Sequence, residues 1–291
     1  MQAFISALCI LCVSASLQAC AKKTTTPADN NNPTDSTSHD TTHFVYTLVP
    51  VINEISGIAD SKTNPGSLWG EEDSGNPPQL YLIGHDGKVK GKVYIAGATN
   101  TDWEDMALVN NDLYVADIGD NNAVRSTVTF YKFPEPAAGV DTVTSFETIK
   151  VAYPDAAHDA EAFVTDPATK DIYIITKRDN PSRIYKVSYP YNLSGVNTAQ
   201  YVASLPYAGV VSATLSPGGD GIIVKTYSTL YHYVRSAGAS IPAALQTTFT
   251  TLEYVQEIQG EAVTYKLDNS GYFTLSEKSV GSTVSLHFYK H

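Results

Sequence analysis

Cysteine is nearly missing from this chain. All three, Cys9, Cys12 and Cys20, lie within the first twenty residues. From residue 21 onward there is no thiol, which excludes disulfide staples, cysteine-based zinc sites and a cysteine nucleophile from the folded part. Basic side chains are also few, 19 against 30 acidic ones, for a formal charge of −11. A nucleic-acid-binding domain is expected to be basic, so that class falls. Met occurs twice, Leu is scarce, and long apolar patterns of helical period are hard to find. No Walker A loop and no G-x-G-x-x-G is present, so no nucleotide-specific signature can be read.

What is present begins with "MQAFISALCILCVSASLQAC", an apolar opening without a charged side chain. It is short for a membrane span, and small residues gather at its end, as in a secretory signal peptide. The closing "LQAC" resembles a bacterial lipobox. That resemblance implies cleavage before Cys20 and acylation of Cys20, palmitate included. It also implies a lipid-anchored place in the bacterial cell envelope, at the periplasmic or outer-membrane face. The basic residues that usually open such a signal are missing, and the alternative is an ordinary signal peptide with an incidental cysteine. Residues 20 to 42, "CAKKTTTPADNNNPTDSTSHDTT", carry no large apolar side chain. Such a segment cannot bury enough surface to offset its ordering entropy. The expected organisation is a signal peptide over 1–19, a lipidated cysteine and disordered tether over 20–42, and one domain over 43–291. That length is enough for a single large core.

Tyr is abundant, at 19 residues, and the composition favours β structure. One hairpin pattern recurs. "NEISGIADSKTNPGSLWGEEDSG" runs from residue 53, "WEDMALVNNDLYVADIGDN" from 103 and "AEAFVTDPATKDIYIITKRDN" from 160. "VSATLSPGGDGIIVKTYST" follows from 211 and "GEAVTYKLDNSGYFTLSEKS" from 260. Each copy has a polar entry, an apolar strand, a Pro/Gly/Asn/Asp turn, a second apolar strand and a polar exit. The entries Glu54, Glu104, Glu161, Ser212 and Glu261 are spaced by 50, 57, 51 and 49 residues. A period near fifty in an all-β chain predicts a β-propeller with one four-stranded blade per repeat. Tyr-rich third strands ("QLYLIG", "VTFYKF", "RIYKVSY", "LYHYV") and fourth strands ("KVYIAG", "ETIKVAY", "QYVASL", "TTLEYV") complete four repeats. The fifth ends at "VSLHFYKH", so "HFVYTLV" near the start of the domain is expected to supply its fourth strand and hide two edges. The prediction is five blades; six would need a repeat that is not found.

In such a ring the start of each first strand and the end of each second strand lie at one face. That face gathers Glu54, Glu104, Glu161, Ser212 and Glu261 innermost. Further out it gathers the exits Glu72, Asp73, Asp117, Lys177, Arg178, Lys225 and Glu277. Carboxylates converging on a narrow axis repel unless a cation neutralises them. Ca²⁺ accepts six to eight oxygens in loose geometry, whereas zinc favours His, which the inner positions lack. The predicted metal set is therefore Glu54, Glu104, Glu161, Ser212 and Glu261 around Ca²⁺. The alternative is that each acid is paired separately, Glu161 with Lys177 for example. His158, three residues before Glu161, reads either as an acid–base group or as a surface-loop His. Trp103 reads as a ligand-stacking ring at the channel mouth or as packing between blades.

The ring pattern resembles the calcium-activated nucleotidases, the soluble apyrase family of five-bladed propellers. The match is in the inner acidic and Ser positions, in Lys177 with Arg178 at the third hairpin exit, and in Lys225 at the fourth. The stretches "GATNTDWEDMA", "YVADIGDN" and "HDAEAF" are closer in wording to uncharacterised secreted bacterial propellers. The nucleotidase resemblance implies a calcium-dependent hydrolase of phosphate-containing substrates. In it Lys177, Arg178 and Lys225 would neutralise phosphate, and Asp117 or Asp73 would orient or deprotonate water. Two alternatives stay open: a non-catalytic, calcium-stabilised binding module for a small-molecule or surface ligand, and a lactone or ester hydrolase. A monomer that meets the membrane only through its lipid is expected.

Overall fold

The computed structural model describes residues 42–279 and 283–291. The expected signal peptide, Cys20 and all but the last residue of the tether lie outside that range. Within it, the inner strands read "ISGIAD", "IYIIT" or "GIIVKT", and every one of their residues is buried. Alternation explains how. In Ile172–Thr176, Ile172 and Ile174 pack toward one neighbouring sheet, while Tyr173 and Ile175 pack toward the other. A strand covered on both faces needs apolar side chains at successive positions, because period-2 geometry sends them to opposite sides.

Five such sheets stand around one axis. From the axis outward, blade one is Ile55–Asp60, Ser67–Glu72, Gln79–Gly84 and Val89–Ile95. Blade two is Trp103–Val109, Asp112–Asp117, Val128–Pro134 and Glu147–Ala152. Blade three is Ala160–Thr165, Ile172–Thr176, Arg183–Val187 and Gln200–Ser204. Blade four is Val210–Leu215, Gly221–Thr226, Leu230–Val234 and Phe249–Thr251. Blade five is Gly260–Tyr265, Gly271–Ser276, Ser285–Lys290 and, outermost, Thr42–Thr47. The innermost strands touch in cyclic order, so the ring is closed. The predicted five-bladed β-propeller is thus the fold. The closing pair is antiparallel, with Thr42 opposite Lys290 and Thr47 opposite Ser285.

The core is divided into five clusters, one in each space between neighbouring blades. Trp69, Leu82, Trp103 and Val115 fill the space between blades one and two, and Phe130, Phe163 and Tyr185 the next. Ile184, Ile222 and Tyr233 join blades three and four, Val263 and Tyr272 meet Ile223, and Phe273 and Leu286 meet Ile58 and Leu68. Each fully buried aliphatic or aromatic side chain contributes about 1.5–3 kcal/mol. Two short strands were not expected. Thr142–Val143 adds in parallel to the outer edge of blade one, and Val196–Thr198 to that of blade two. A helical turn, Ile241–Ala244, buries Ile241 and Ala244 against blade four. No helix among the described residues is long and apolar enough to cross a membrane.

Candidate functional site

Every innermost strand carries a β-bulge near its start. The extra residues are Ser56, Glu104, Glu161, Val211 and Glu261, one per blade. A bulge sharpens the local twist and re-aims one side chain. Repeated five times around an axis, it points equivalent residues at the same mouth. The structure thus places Glu104, Glu161 and Glu261 in equivalent positions; Glu161 and Glu261 raise the pKa of Glu104, and Glu261 raises that of Glu161. In blade one the equivalent residue is Ser56, and Glu54 precedes the strand. Glu54 is exposed, accepts from Asn76 Nδ2 at 2.6 Å, and lies close enough to Glu277 to raise its pKa. In blade four Val211 is the bulge residue. Ser212 is the next one, and its Oγ donates to Asp105 Oδ1 at 3.1 Å.

One group of three carboxylates among the described residues lies between blades one and two. One carboxylate oxygen each from Asp73, Asp102 and Glu104 lie within 4.8 Å of one another. Backbone geometry holds them there. The Asn100 side-chain amide donates to the carbonyls of Glu72 and Asp73 at 2.7 and 2.9 Å. The Asp102 amide donates to Asp117 Oδ1 at 3.1 Å. Gly119 completes the seat: a methyl group there would fall 2.1 Å from Glu104 Oε1 and 2.5 Å from Asp102 Oδ2. Burial, with the Asp73 charge, pushes the Asp102 carboxyl up to about 6. Burial and the charges of Glu161, Asp73, Asp102 and Glu261 push Glu104 well above the usual range. Glu161 rises to about 8, mainly through burial, and its Oε2 has no hydrogen-bond partner. Three oxygen donors this close, with the unpartnered Glu161 Oε2 near them, are of the type that could hold a hard cation.

The predicted exits divide into groups that face the mouth and groups already engaged. Asp117 accepts from the amides of Thr101 and Asp102 and pairs with Arg125 at 2.8 Å, so its oxygens brace the loop. Asp120 likewise accepts from the amides of Val124 and Arg125. Lys177 pairs with Glu161 and donates to Tyr227 Oη at 3.1 Å, and Tyr227 Oη donates to Glu261 at 2.5 Å. Arg178 pairs with Asp159 at 2.5 Å and with Asn121, and its side chain is 55% exposed. Lys225 is wholly buried; it donates to Tyr254 Oη at 2.6 Å and to the Thr226 carbonyl at 3.3 Å. Burial lowers its pKa to about 8, and Glu257 and Glu261 act against that fall.

Two side chains with open readings are now placed. Trp103 is buried, donates from Nε1 to the Thr99 carbonyl at 2.9 Å and sits in the core between blades one and two, so it packs and does not stack on a ligand. His158 is buried too. Its Nδ1 lies 2.9 Å from Asp179, its Nε2 lies 3.1 Å from Asp155, and the Tyr185 hydroxyl is 2.9 Å away. It is bound into an ionic network of blade three.

Sequence reasoning missed Asp102 and Glu71. Asp102 precedes its strand, and nothing in the hairpin pattern distinguishes it. Glu71 lay in "GEED", read as an exit. Period-2 alternation puts Glu71 and Asp73 on one face and Glu72 on the other, and that signal was available. At the opposite end of the axis all five blades line a cavity of about 470 Å³. Its walls are mostly apolar, with Leu108, Phe163, Ala213 and Tyr265 among them, and Asp60 and Lys62 also line it. No protein-family model matches the chain, and none of the curated proteins matches it.

Proposed function

We propose that this protein is a calcium-binding propeller whose acidic mouth is its working face. The observation that carries this reading is the convergence of Asp73, Asp102 and Glu104 within 4.8 Å, beside the unpartnered Oε2 of Glu161. Buried carboxylates without counter-charge are expensive. Asp73, Asp102 and Glu104 would hold the ion, with Glu161 and Glu261 across the mouth. Retention of metal through gel filtration, and a Tm that falls with chelator and recovers with Ca²⁺, test it. An unchanged Tm from excess chelator to millimolar Ca²⁺ rejects it.

Hydrolysis of a phosphate-containing, nucleotide-like substrate is the chemistry that the nucleotidase-like pattern brings to this mouth. A bound Ca²⁺ would polarise phosphoryl oxygens there. Asp73 and Asp102 are the carboxylates free to orient water, since Asp117 is held by Arg125 and two amides. Arg178, half-exposed, is the basic group best placed to meet an anion. A binding module is the second reading, favoured by Lys225 being sealed under Tyr254 and Lys177 being held by Glu161. Calcium-dependent phosphate release from a nucleotide panel, lost in Arg178→Ala, separates the two; no release from any nucleotide leaves the binding module. We also propose that Cys20 anchors the domain to the cell envelope. Incorporation of labelled palmitate, abolished by Cys20→Ser, is expected.

A further inference from the structure

Glu71 and Glu257 are the two acids among the described residues with neither carboxylate oxygen in a well-formed hydrogen bond. Glu71 is wholly buried on the second strand of blade one, the Gly57 amide being the one backbone donor near it. It lies opposite Gly57, where any Cβ would meet the backbone of Asp105 and Met106 and Glu71 Oε1, each at 2.7 Å. Gly57 thus lets blade one approach blade two and leaves room for the Glu71 carboxylate at the axis. Burial, and the charges of Asp73, Asp105 and Glu261, push its pKa well up, and the Gly57 amide offsets only part of that.

Its neighbours fall into two kinds. Asp105 is saturated: it accepts from the amides of Met106, Phe163 and Ala213 and from Ser212 Oγ, between 3.0 and 3.3 Å. It ties blades two, three and four together and has little left to offer. Glu261 is different. Its Oε1 takes the Tyr227 hydroxyl, its Oε2 has a weak contact with Ser56 Oγ at 3.5 Å, and the Glu277 carboxyl lies within hydrogen-bonding reach. Two poorly partnered oxygens on Glu71, which feels the Glu261 charge, thus lie near the weak Ser56–Glu261 contact below the mouth. All are hard donors, two are anionic side chains, and the hydroxyl rotates freely between donor and acceptor roles.

We propose a second, deeper cation site on the propeller axis, formed by Glu71, Glu261 and Ser56 and distinct from the carboxylates of Asp73, Asp102 and Glu104. It rests on the calcium reading above and extends it from one ion to two. Ca²⁺ fits because it accepts mixed carboxylate and hydroxyl oxygens in irregular geometry. Glu261 borders both positions, so the sites are coupled, and the upper ion screens the entry of the lower one.

The test is Ca²⁺ stoichiometry by equilibrium dialysis on the purified domain, with folding checked by far-ultraviolet circular dichroism and by Tm in chelator. Wild type is expected to bind two ions, Glu71→Gln one, and Ser56→Ala two with the weaker step loosened at least tenfold. The Asp73→Asn/Asp102→Asn double variant is expected to keep the deep ion alone. One ion in wild type, retained by Glu71→Gln, overturns the deep site and leaves the calcium reading intact; Glu71 is then a buried neutral acid. Two ions in both wild type and Glu71→Gln also overturn it. No ion in any folded protein removes both readings together.

Discussion

The ammonium of Lys225 lies 4.0 Å from the centre of the Tyr254 ring and 2.6 Å from its hydroxyl. Tyr254 belongs to the strap that leads from blade four into blade five. The same strap carries Glu257, which is buried, has neither oxygen in a well-formed hydrogen bond, and is raised by burial to about 7 while Lys225 opposes the rise. Lys225 therefore holds the strap through the Tyr254 hydroxyl and acts on Glu257 as a counter-charge beyond ion-pair distance, while His287 Nε2 lies 3.7 Å from Glu257 Oε1. Lys225→Met keeps the packing volume but leaves Glu257 without its cation. Loss of about 2 kcal/mol is expected, through the lost charged hydrogen bond to Tyr254 and the lost counter-charge. Lys225→Met/Glu257→Gln should recover more than half of it. Urea unfolding of the four proteins checks this, and a double variant as unstable as the summed singles would show that the two residues act independently.

Acidity of the mouth gives the metal-free protein a pH dependence of definite sign. Asp102 is raised to about 6, and Glu161 and Glu277 to about 8, in each case mainly by burial. Their unfolded values lie near about 4. Groups whose folded pKa is raised bind protons more tightly when folded. They contribute stability that is complete below about pH 4 and is lost as pH climbs through 6 to 8. In chelator, Tm is expected to be higher at pH 5.5 than at pH 8.5, by several degrees, since about 1 kcal/mol moves the Tm of a domain this size by about 2–4 °C. If Ca²⁺ binds as proposed, saturating Ca²⁺ replaces the protons as counter-charge and should flatten the profile. A metal-free Tm that rises from pH 5.5 to 8.5 would contradict the assignment.

The fold was legible because the hairpins repeat with a period near fifty and because a missing fourth strand at one terminus matched a spare strand at the other. The site was legible only in part. Glu104 and Glu161 could be aligned from sequence, but a bulge inserts a residue without changing composition, so the register at each strand entry is invisible. Hence Ser56 and Val211 stand where the repeat pattern pointed to Glu54 and Ser212. Asp102 was missed because its position is set by a loop folded around Asp117 and Asn100, contacts that no periodicity encodes. The strands Thr142–Val143 and Val196–Thr198 are two and three residues long, below the length at which alternation can be read.

Closure of the ring by Thr42–Thr47 has its own consequence. That strand covers the edge of Ser285–Lys290 over six register pairs and stacks His43 on Tyr289 and Phe44 beside Phe288. Leu48 and Ile52, just beyond it, are buried between blades five and one. Starting the chain at residue 50 should therefore cost several kcal/mol, seen as a lower urea midpoint, through lost burial of Leu48 and lost pairing. It should also expose an edge able to pair with another chain, giving concentration-dependent dimers by light scattering. An unchanged midpoint would mean that the outermost strand contributes nothing to closure.

Gly119 offers a way to disturb the proposed cation seat without disturbing the core. A methyl group there meets Glu104 Oε1 at 2.1 Å, Asp102 Oδ2 at 2.5 Å and Asp102 Cγ at 2.6 Å. All three atoms are ends of flexible side chains, so the strain is relieved by swinging carboxylates away and not by moving backbone. Gly119→Ala is expected to leave Tm in chelator within about 2 °C of wild type, or slightly above it, because Ala also restricts the unfolded chain. Ca²⁺ affinity should fall at least tenfold, equivalent to about 1.4 kcal/mol, because the ion loses two of its three convergent oxygens. Calorimetric titration with Ca²⁺ measures the second quantity and a melt in chelator the first. If Gly119→Ala lost stability but bound Ca²⁺ as tightly as wild type, Asp102 and Glu104 would not be ligands. The ion would then have to be sought deeper on the axis, between Glu71 and Glu261.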